Sequence, residues 1–154
     1  MTRLASILFG LLAFGLAACG GGDAPSKEEF AEEASKICQN AERALENVGQ
    51  NAESPEDIAN AVDRVIEESR NAVDELADLE RPEGEDGETA ERFVNATRRE
   101  IEEEGIPALE ELRDALAEED QAAAQEAAQR LQEVETEDSN RAAEELGADA
   151  CAES

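Results

Sequence analysis

Apolar residues recur every three or four positions along four segments of the chain, and the positions between them are polar and mostly acidic. The first stripe consists of Phe30, Ala34, Ile37, Cys38, Ala41, Leu45 and Val48, and the second of Ile58, Val62, Val65, Ile66, Val73, Leu76 and Leu79. The third stripe consists of Phe93, Val94, Thr97, Ile101, Leu109, Leu112 and Leu116. The fourth consists of Ala124, Ala127, Ala128, Leu131, Val134, Ala142, Ala143 and Leu146. This spacing places each stripe on one face of an α-helix. Because no useful length of the mature chain alternates with period two, the pattern predicts an all-α fold.

Capping and breaking residues delimit the four segments. Ser26 and Glu29 have the S-x-x-E form of a capping box, and Ser54 followed by Pro55 predicts the start of the second helix after a break from Gly49. The second helix is expected to end before Pro82. Asp120 predicts an N-cap for the fourth segment, and Gly147 predicts its C-terminal end.

Two stretches rich in glycine predict interruptions. The sequence EGEDGE at residues 83–88 is typical of a turn, and Gly105-Ile106-Pro107 predicts a kink or a short break inside the third segment. Four helices with short connections then predict an antiparallel (up-down-up-down) four-helix bundle over residues 27–154. A long coiled-coil oligomer is the alternative, and the Pro and Gly breaks argue against it.

The N-terminus has the layout of a secretory signal. Met1 to Arg3 carries one positive charge, Leu4 to Ala18 is an uncharged apolar run, and Cys19 follows directly. The run of about 15 residues is shorter than the roughly 20 that a membrane-spanning helix needs. Leu16-Ala17-Ala18-Cys19 resembles the lipobox of bacterial lipoprotein precursors. That resemblance implies cleavage of residues 1–18 and attachment of a diacylglycerol, as a palmitate-type lipid, to Cys19.

A lipidated Cys19 would make the mature protein lipid-anchored, because two or three acyl chains hold far more firmly than one. Residues 19–26 then form the lipidated cysteine and a flexible tether, of which the seven residues from Gly20 to Ser26 reach at most about 23 Å. The expected location is the extracytoplasmic face of the cell membrane. An ordinary cleaved secretory signal with an unmodified Cys19 is the alternative.

Composition restricts the function. The chain carries 41 acidic and 13 basic residues, a net charge of −28, and the imbalance falls entirely in the mature part. An acidic surface of this kind repels phosphate backbones, which excludes nucleic-acid binding. With no His, Tyr or Trp, the chain lacks imidazole for nucleophilic catalysis or metal binding. We therefore expect no catalytic residues, no cofactor and no enzyme activity.

Two cysteines remain after lipidation, in a compartment where disulfides persist. Cys38 lies about 17 Å above the start of the first helix at roughly 1.5 Å per residue. In the predicted bundle the fourth helix ends beside that start, and the tail from Gly147 to Cys151 can climb about 13 Å. A Cys38–Cys151 disulfide is therefore expected, and separate buried thiols or an intermolecular bridge are the alternatives.

The acidic clusters and the phenylalanines are the other candidates for a site. Clusters such as Glu102-Glu103-Glu104 and Glu118-Glu119-Asp120 contain oxygen ligands, but neighbouring helical residues point about 100° apart, so we interpret them as solvated faces and expect no metal site. Phe30 and Phe93 are expected in the core, where either could line an apolar groove between helices.

Outside the lipobox, the chain resembles small uncharacterised helical lipoproteins of high-GC Gram-positive bacteria. The shared features are Ile37-Cys38, the stretch Leu76-Ala77-Asp78-Leu79-Glu80-Arg81-Pro82, and Leu146-Gly147 before Cys151. We hypothesise a non-catalytic envelope protein, held at the membrane by the lipid on Cys19, that binds or scaffolds another envelope component. The alternative is a binding module for a cationic or apolar small ligand or for divalent cations.

Overall fold

The structure is a computed structural model that describes residues 24–46, 48, 50 and 52–152. The predicted signal segment 1–18, Cys19 and the first four residues of the tether lie outside the described residues. The elements are α1 (Lys27–Leu45), α2 (Pro55–Asp78), α3 (Gly84–Arg98), a π-helical segment (Arg99–Gly105), α4 (Ile106–Ala117), α5 (Gln121–Glu133), α6 (Glu137–Leu146) and α7 (Asp149–Ala152). The all-α prediction is confirmed, with no strand among the described residues.

The predicted caps are present. The Ser26 hydroxyl accepts from the Glu29 N–H at 3.2 Å, and the Glu29 carboxylate accepts from the Ser26 N–H at 2.9 Å. Ser54 and Asp57 make the same reciprocal pair at the start of α2. Asp120 accepts from two backbone N–H groups of α5. These bonds satisfy amide groups that have no partner within their own helix.

The first two helices end as their sequences indicate, with one adjustment. α1 ends at Leu45, three residues before the last apolar position of its predicted stripe. α2 ends at Asp78, ahead of Pro82, where Arg81 donates to the carbonyl groups of Ala77 and Leu79. The Arg81 guanidinium also lies 5.7 Å from the centre of the Phe30 ring. Arg81 thus closes α2 and attaches it to the core beneath α1.

The turn expected at residues 83–88 is wrong from Gly84 onward, because α3 begins there. Glu85 and Asp86 lie in the first turn, where acidic side chains favour the positive end of a helix. Gly84 has φ +68°, a backbone conformation that is strained for residues with a side chain. At Gly87, an added Cβ would collide with the Pro82 carbonyl group. The glycines that suggested a turn therefore allow a helix to start tightly against Pro82.

The third and fourth predicted segments also differ from expectation. Of the kink or short break predicted at Gly105-Ile106-Pro107, the break is absent, because the chain stays helical from α3 through the π-helical segment into α4. The kink stays a prediction. The fourth segment is divided at residues 134–136 into α5 and α6. Gly147, with φ +82°, ends α6 as predicted. The four-helix arrangement stays a prediction.

The core consists of two separate clusters. The larger one joins α1, α3, α6 and α7 to the C-terminal end of α2, and it contains both core phenylalanines, Phe30 and Phe93, each 1% exposed. The smaller one joins α2 to α4 around Val62, Ile66 and Ile106. None of the helices in the described part of the chain is both long enough and apolar enough to cross a membrane.

Candidate functional site

A cavity of about 740 Å³ lies between the two core clusters. Its walls come from the C-terminal halves of α1 and α2, the end of α3, the π-helical segment, the start of α4, the end of α5, the start of α6 and α7. Pockets that hold small ligands measure roughly 300–1,000 Å³ and occur between the helices of bundles. Both the size and the position of this cavity fit that class of site.

The walls of the cavity are mainly apolar. Leu76, Phe93 and Ile106 line it and are nearly fully buried, while Leu109 and Leu131 are half-buried. These side chains belong to four different helices, so the space is a half-open cleft with apolar surface on several sides. A small apolar molecule entering the cavity would remove this surface from water, which is the dominant favourable contribution to such binding.

Glu100 is the charged group in the wall that is buried, with 4% of its surface exposed. Its Oε1 accepts a hydrogen bond from the backbone N–H of Ser139 at 3.4 Å, which is longer than the roughly 2.7–3.2 Å of ordinary N–H···O bonds and makes this a weak one. Ser139 lies in the first turn of α6, where Thr136 makes no side-chain capping bond. Glu100 therefore caps α6 from another helix, and the partial positive charge of the helix N-terminus stabilises its carboxylate.

The π-helical segment determines which side chains reach the cavity. The Ile106 N–H donates to the Ile101 carbonyl, five residues back rather than four. This wider turn suits Pro107, which lacks an N–H and whose ring would clash with the carbonyl four residues earlier. Its extra residue lets Ile101, Ile106 and Leu109 all line the cavity. A Cβ on Gly105 would lie 3.3 Å from the Glu100 carbonyl oxygen, so Gly105 keeps this turn tightly packed.

The mouth of the cavity is acidic. Glu42 of α1 and Glu46, the residue that follows α1, line it and are exposed, as is Thr136. Among the described residues that form the lining, none is Lys or Arg. Three carboxylates and no cation therefore face the space, so its potential is negative and an anionic ligand would be repelled.

Many of the basic residues are engaged elsewhere on the surface. Arg70 pairs with Glu110 at 3.0 Å, Arg92 with Glu145 at 2.9 Å, and Arg130 with Glu111. These pairs link α2 to α4, α3 to α6, and α4 to α5. These ion pairs are exposed, so each adds little stability. Their arginines do not line the cavity, so they do not neutralise the carboxylates there.

The structure joins Cys38 and Cys151 in the predicted disulfide, with 5.3 Å between their Cα atoms. The bond attaches α7 to α1, and both cysteines lie in the cavity wall. The predicted lipidation residue, Cys19, lies outside the described residues. The disulfide therefore has a place in the candidate site that its sequence positions did not indicate.

The acidic clusters are placed as the sequence suggested. Glu102, Glu103 and Glu104 are exposed, and so are Glu118 to Asp120. In the part of the chain that the structure describes, no three acidic or cysteine side chains converge as a metal-binding group.

Phe93 and Glu100 show which parts of the site could and could not be predicted from the sequence. Phe30 and Phe93 were both expected in the core, where either could line a groove; both lie in the larger core cluster, and of the two it is Phe93 that also lines the cavity. The role of Glu100 was missed. Glu100 lies seven residues after Phe93 and three after Thr97, so it occupies the apolar face of its helix. An acidic residue on an apolar face was the feature of the sequence that could have indicated its role.

No known protein family matches the chain, and neither curated proteins nor solved structures show significant similarity to it. The resemblance to helical lipoproteins therefore remains an expectation based on sequence motifs.

Proposed function

We propose that this protein is a non-catalytic, lipid-anchored binding protein of the extracytoplasmic membrane face that holds a small apolar molecule between its helices. The observation that carries the proposal is the cavity of about 740 Å³ with its apolar walls. A ligand that fills an apolar space of this size would remove the apolar side chains of its walls from water and give them additional packing contacts.

Scaffolding of another envelope component through the helical surface has less support. Within the described residues, Ile58 is the exposed large hydrophobic side chain, with 40% of its surface exposed. Partner surfaces commonly present a larger contiguous apolar patch. The function is therefore assigned to the interior of the protein rather than to its outer faces.

The antiparallel four-helix arrangement belongs to the same proposal. α1 packs on α2, α2 on α4, α3 on α6, and both α6 and α7 on α1. If α3 and α4 count as one long helix, and α5 and α6 as another, these neighbours agree with an up-down-up-down order. A helical bundle divided by a cavity is a common setting for ligand sites.

Binding can be tested with N-phenyl-1-naphthylamine, a neutral apolar dye whose fluorescence increases in apolar surroundings. We expect saturable binding of one dye per protein. Ala41 and Ala44 are both half-buried in α1, but only Ala41 is part of the cavity wall. Ala41→Phe should fill the space and weaken dye binding at least tenfold, while Ala44→Phe should leave it unchanged. Absence of saturable binding, or equal effects of the two substitutions, would contradict the proposal.

The lipid anchor is supported by the lipobox and is tested separately. Cells that express the protein are labelled with radioactive palmitate, and the wild type is compared with Cys19→Ser. We expect label on the wild type and its complete loss in the variant, with the variant released from the membrane fraction. Label that persists in Cys19→Ser would contradict lipidation at this residue.

A further inference from the structure

We infer that the ligand is an aliphatic amine, whose protonated nitrogen pairs with Glu100 while its apolar chain fills the cavity. This inference rests on the proposed function, and it specifies the chemical class of the ligand. It follows from the charge of the wall, from the burial of Glu100 and from the hydrogen bonds of that side chain.

Within the described part of the protein, the carboxylate of Glu100 is balanced only by the N-terminus of α6. Among the described residues it takes part in no ion pair, and the bond from Ser139 to Oε1 is the hydrogen bond that it makes. Its second oxygen, Oε2, accepts no hydrogen bond from a described residue, but it keeps access to the space of the cavity, because no fully buried side-chain oxygen in the described part of the chain lacks a partner. A buried carboxylate is costly unless its oxygens are paired. A ligand ammonium group in the cavity would supply the missing positive charge and up to three N–H donors.

The acidic residues at the mouth of the cavity also favour a cationic ligand. Glu42 and Glu46 would attract a cation toward the entrance and would hinder the entry of a carboxylate or phosphate ligand. The remaining wall is apolar, so the complementary ligand carries one cationic end and an apolar body. Fatty acids and other anionic amphiphiles fit the shape of this space but not its charge.

Three compounds of equal chain length separate these possibilities: decylamine, decanol and decanoate. Each is used below its micelle concentration to displace N-phenyl-1-naphthylamine from the mature protein. Moderate salt, about 0.3 M, screens attraction to the exposed acidic surface but acts much less on a buried pair. We expect decylamine to bind at least tenfold more tightly than decanol, and decanoate to bind most weakly.

Glu100→Gln keeps the size of the side chain and its acceptor oxygen for Ser139 but removes the charge. We expect this variant to bind decylamine no more tightly than decanol, with decanol affinity within about threefold of the wild type. Retained decanol binding shows that the cavity is intact. Glu103→Gln is the matched control, because Glu103 lies in the same π-helical segment but is exposed and outside the cavity wall. It should keep the full preference for the amine.

The outcomes distinguish this inference from the function on which it rests. If the neutral dye and decanol do not bind, the proposed function fails. If they bind but decylamine shows no preference, or if the preference survives in Glu100→Gln, the inference is overturned while the cavity remains a binding site. A Glu100→Gln variant with a lower melting temperature and an unchanged amine preference would limit Glu100 to capping α6.

Discussion

The disulfide between Cys38 and Cys151 should supply a large part of the stability of this protein. It connects α1 to the four-residue helix α7 across a sequence separation of 113 residues. In the chain-entropy account, a loop of this length restricts the unfolded chain and stabilises the fold by about 4.8 kcal/mol. A typical domain has a free energy of unfolding of about 5–15 kcal/mol, so reduction of the bond removes a third or more of the total.

This free energy converts into a change of melting temperature. The entropy of unfolding near 60 °C is about 2.1 cal/mol/K per residue, which gives roughly 270 cal/mol/K for the folded helical part of this chain. Loss of about 4.8 kcal/mol then lowers the melting temperature by roughly 18 °C. A split core that surrounds a cavity cannot compensate for that loss with additional packing.

The measurement is thermal unfolding followed by circular dichroism at 222 nm, with and without a phosphine reductant. The protein carries Cys19→Ser, so that the pair is the remaining source of thiols. Reduction is preferable to serine substitution, because a hydroxyl at the buried Cys151 would add its own desolvation cost. Complete alkylation of both thiols must accompany the melting curve. A fall of less than about 5 °C with full alkylation would refute the loop-entropy reasoning.

Four further predictions concern the caps, the surface charge and one glycine. Ser54→Ala should destabilise the fold by about 1 kcal/mol in urea unfolding, with Ser69→Ala as a control outside any cap. Hydrogen bonds from Ser54 and from the Glu53 amide lower the pKa of Asp57 below its ordinary 3.8. The ionised Asp57 therefore stabilises the fold above pH 3.8, and this contribution is lost as the pH falls through the lowered pKa. The free energy of unfolding of Asp57→Asn should therefore change less with pH below about pH 4 than that of the wild type. An equal pH dependence in the two proteins would contradict this. Sodium chloride should raise the melting temperature steadily up to about 1 M, because the net charge of −29 on residues 19–154 repels itself. A melting temperature independent of salt would argue against that. Gly87→Ala should lower the melting temperature by several degrees because its Cβ meets the Pro82 carbonyl group, and an unaffected variant would show that α3 can shift there.

The local features of the fold were accessible from sequence because each depends on residues close together in the chain. The caps at Ser26, Ser54 and Asp120 need only a side-chain oxygen three or fewer residues from the amide that it accepts. The disulfide is a long-range feature, but helix rise and tail length were enough to bring its two ends together. The start of α3 was missed because glycine and acid at 83–88 are compatible with both a turn and a helix N-terminus.

The sequence alone determined that this chain is helical, where three of its helices begin, and that Cys38 can reach Cys151. It also predicts that nucleic acids are not partners. The tertiary structure decided the π-helical turn, the division of the fourth segment and the cavity that receives Glu100. Hydrophobic periodicity shows which face of a helix is turned inward, but not how far apart two inward faces lie. That distance depends on how side chains from several helices pack together, and it makes the difference between a filled core and a ligand site.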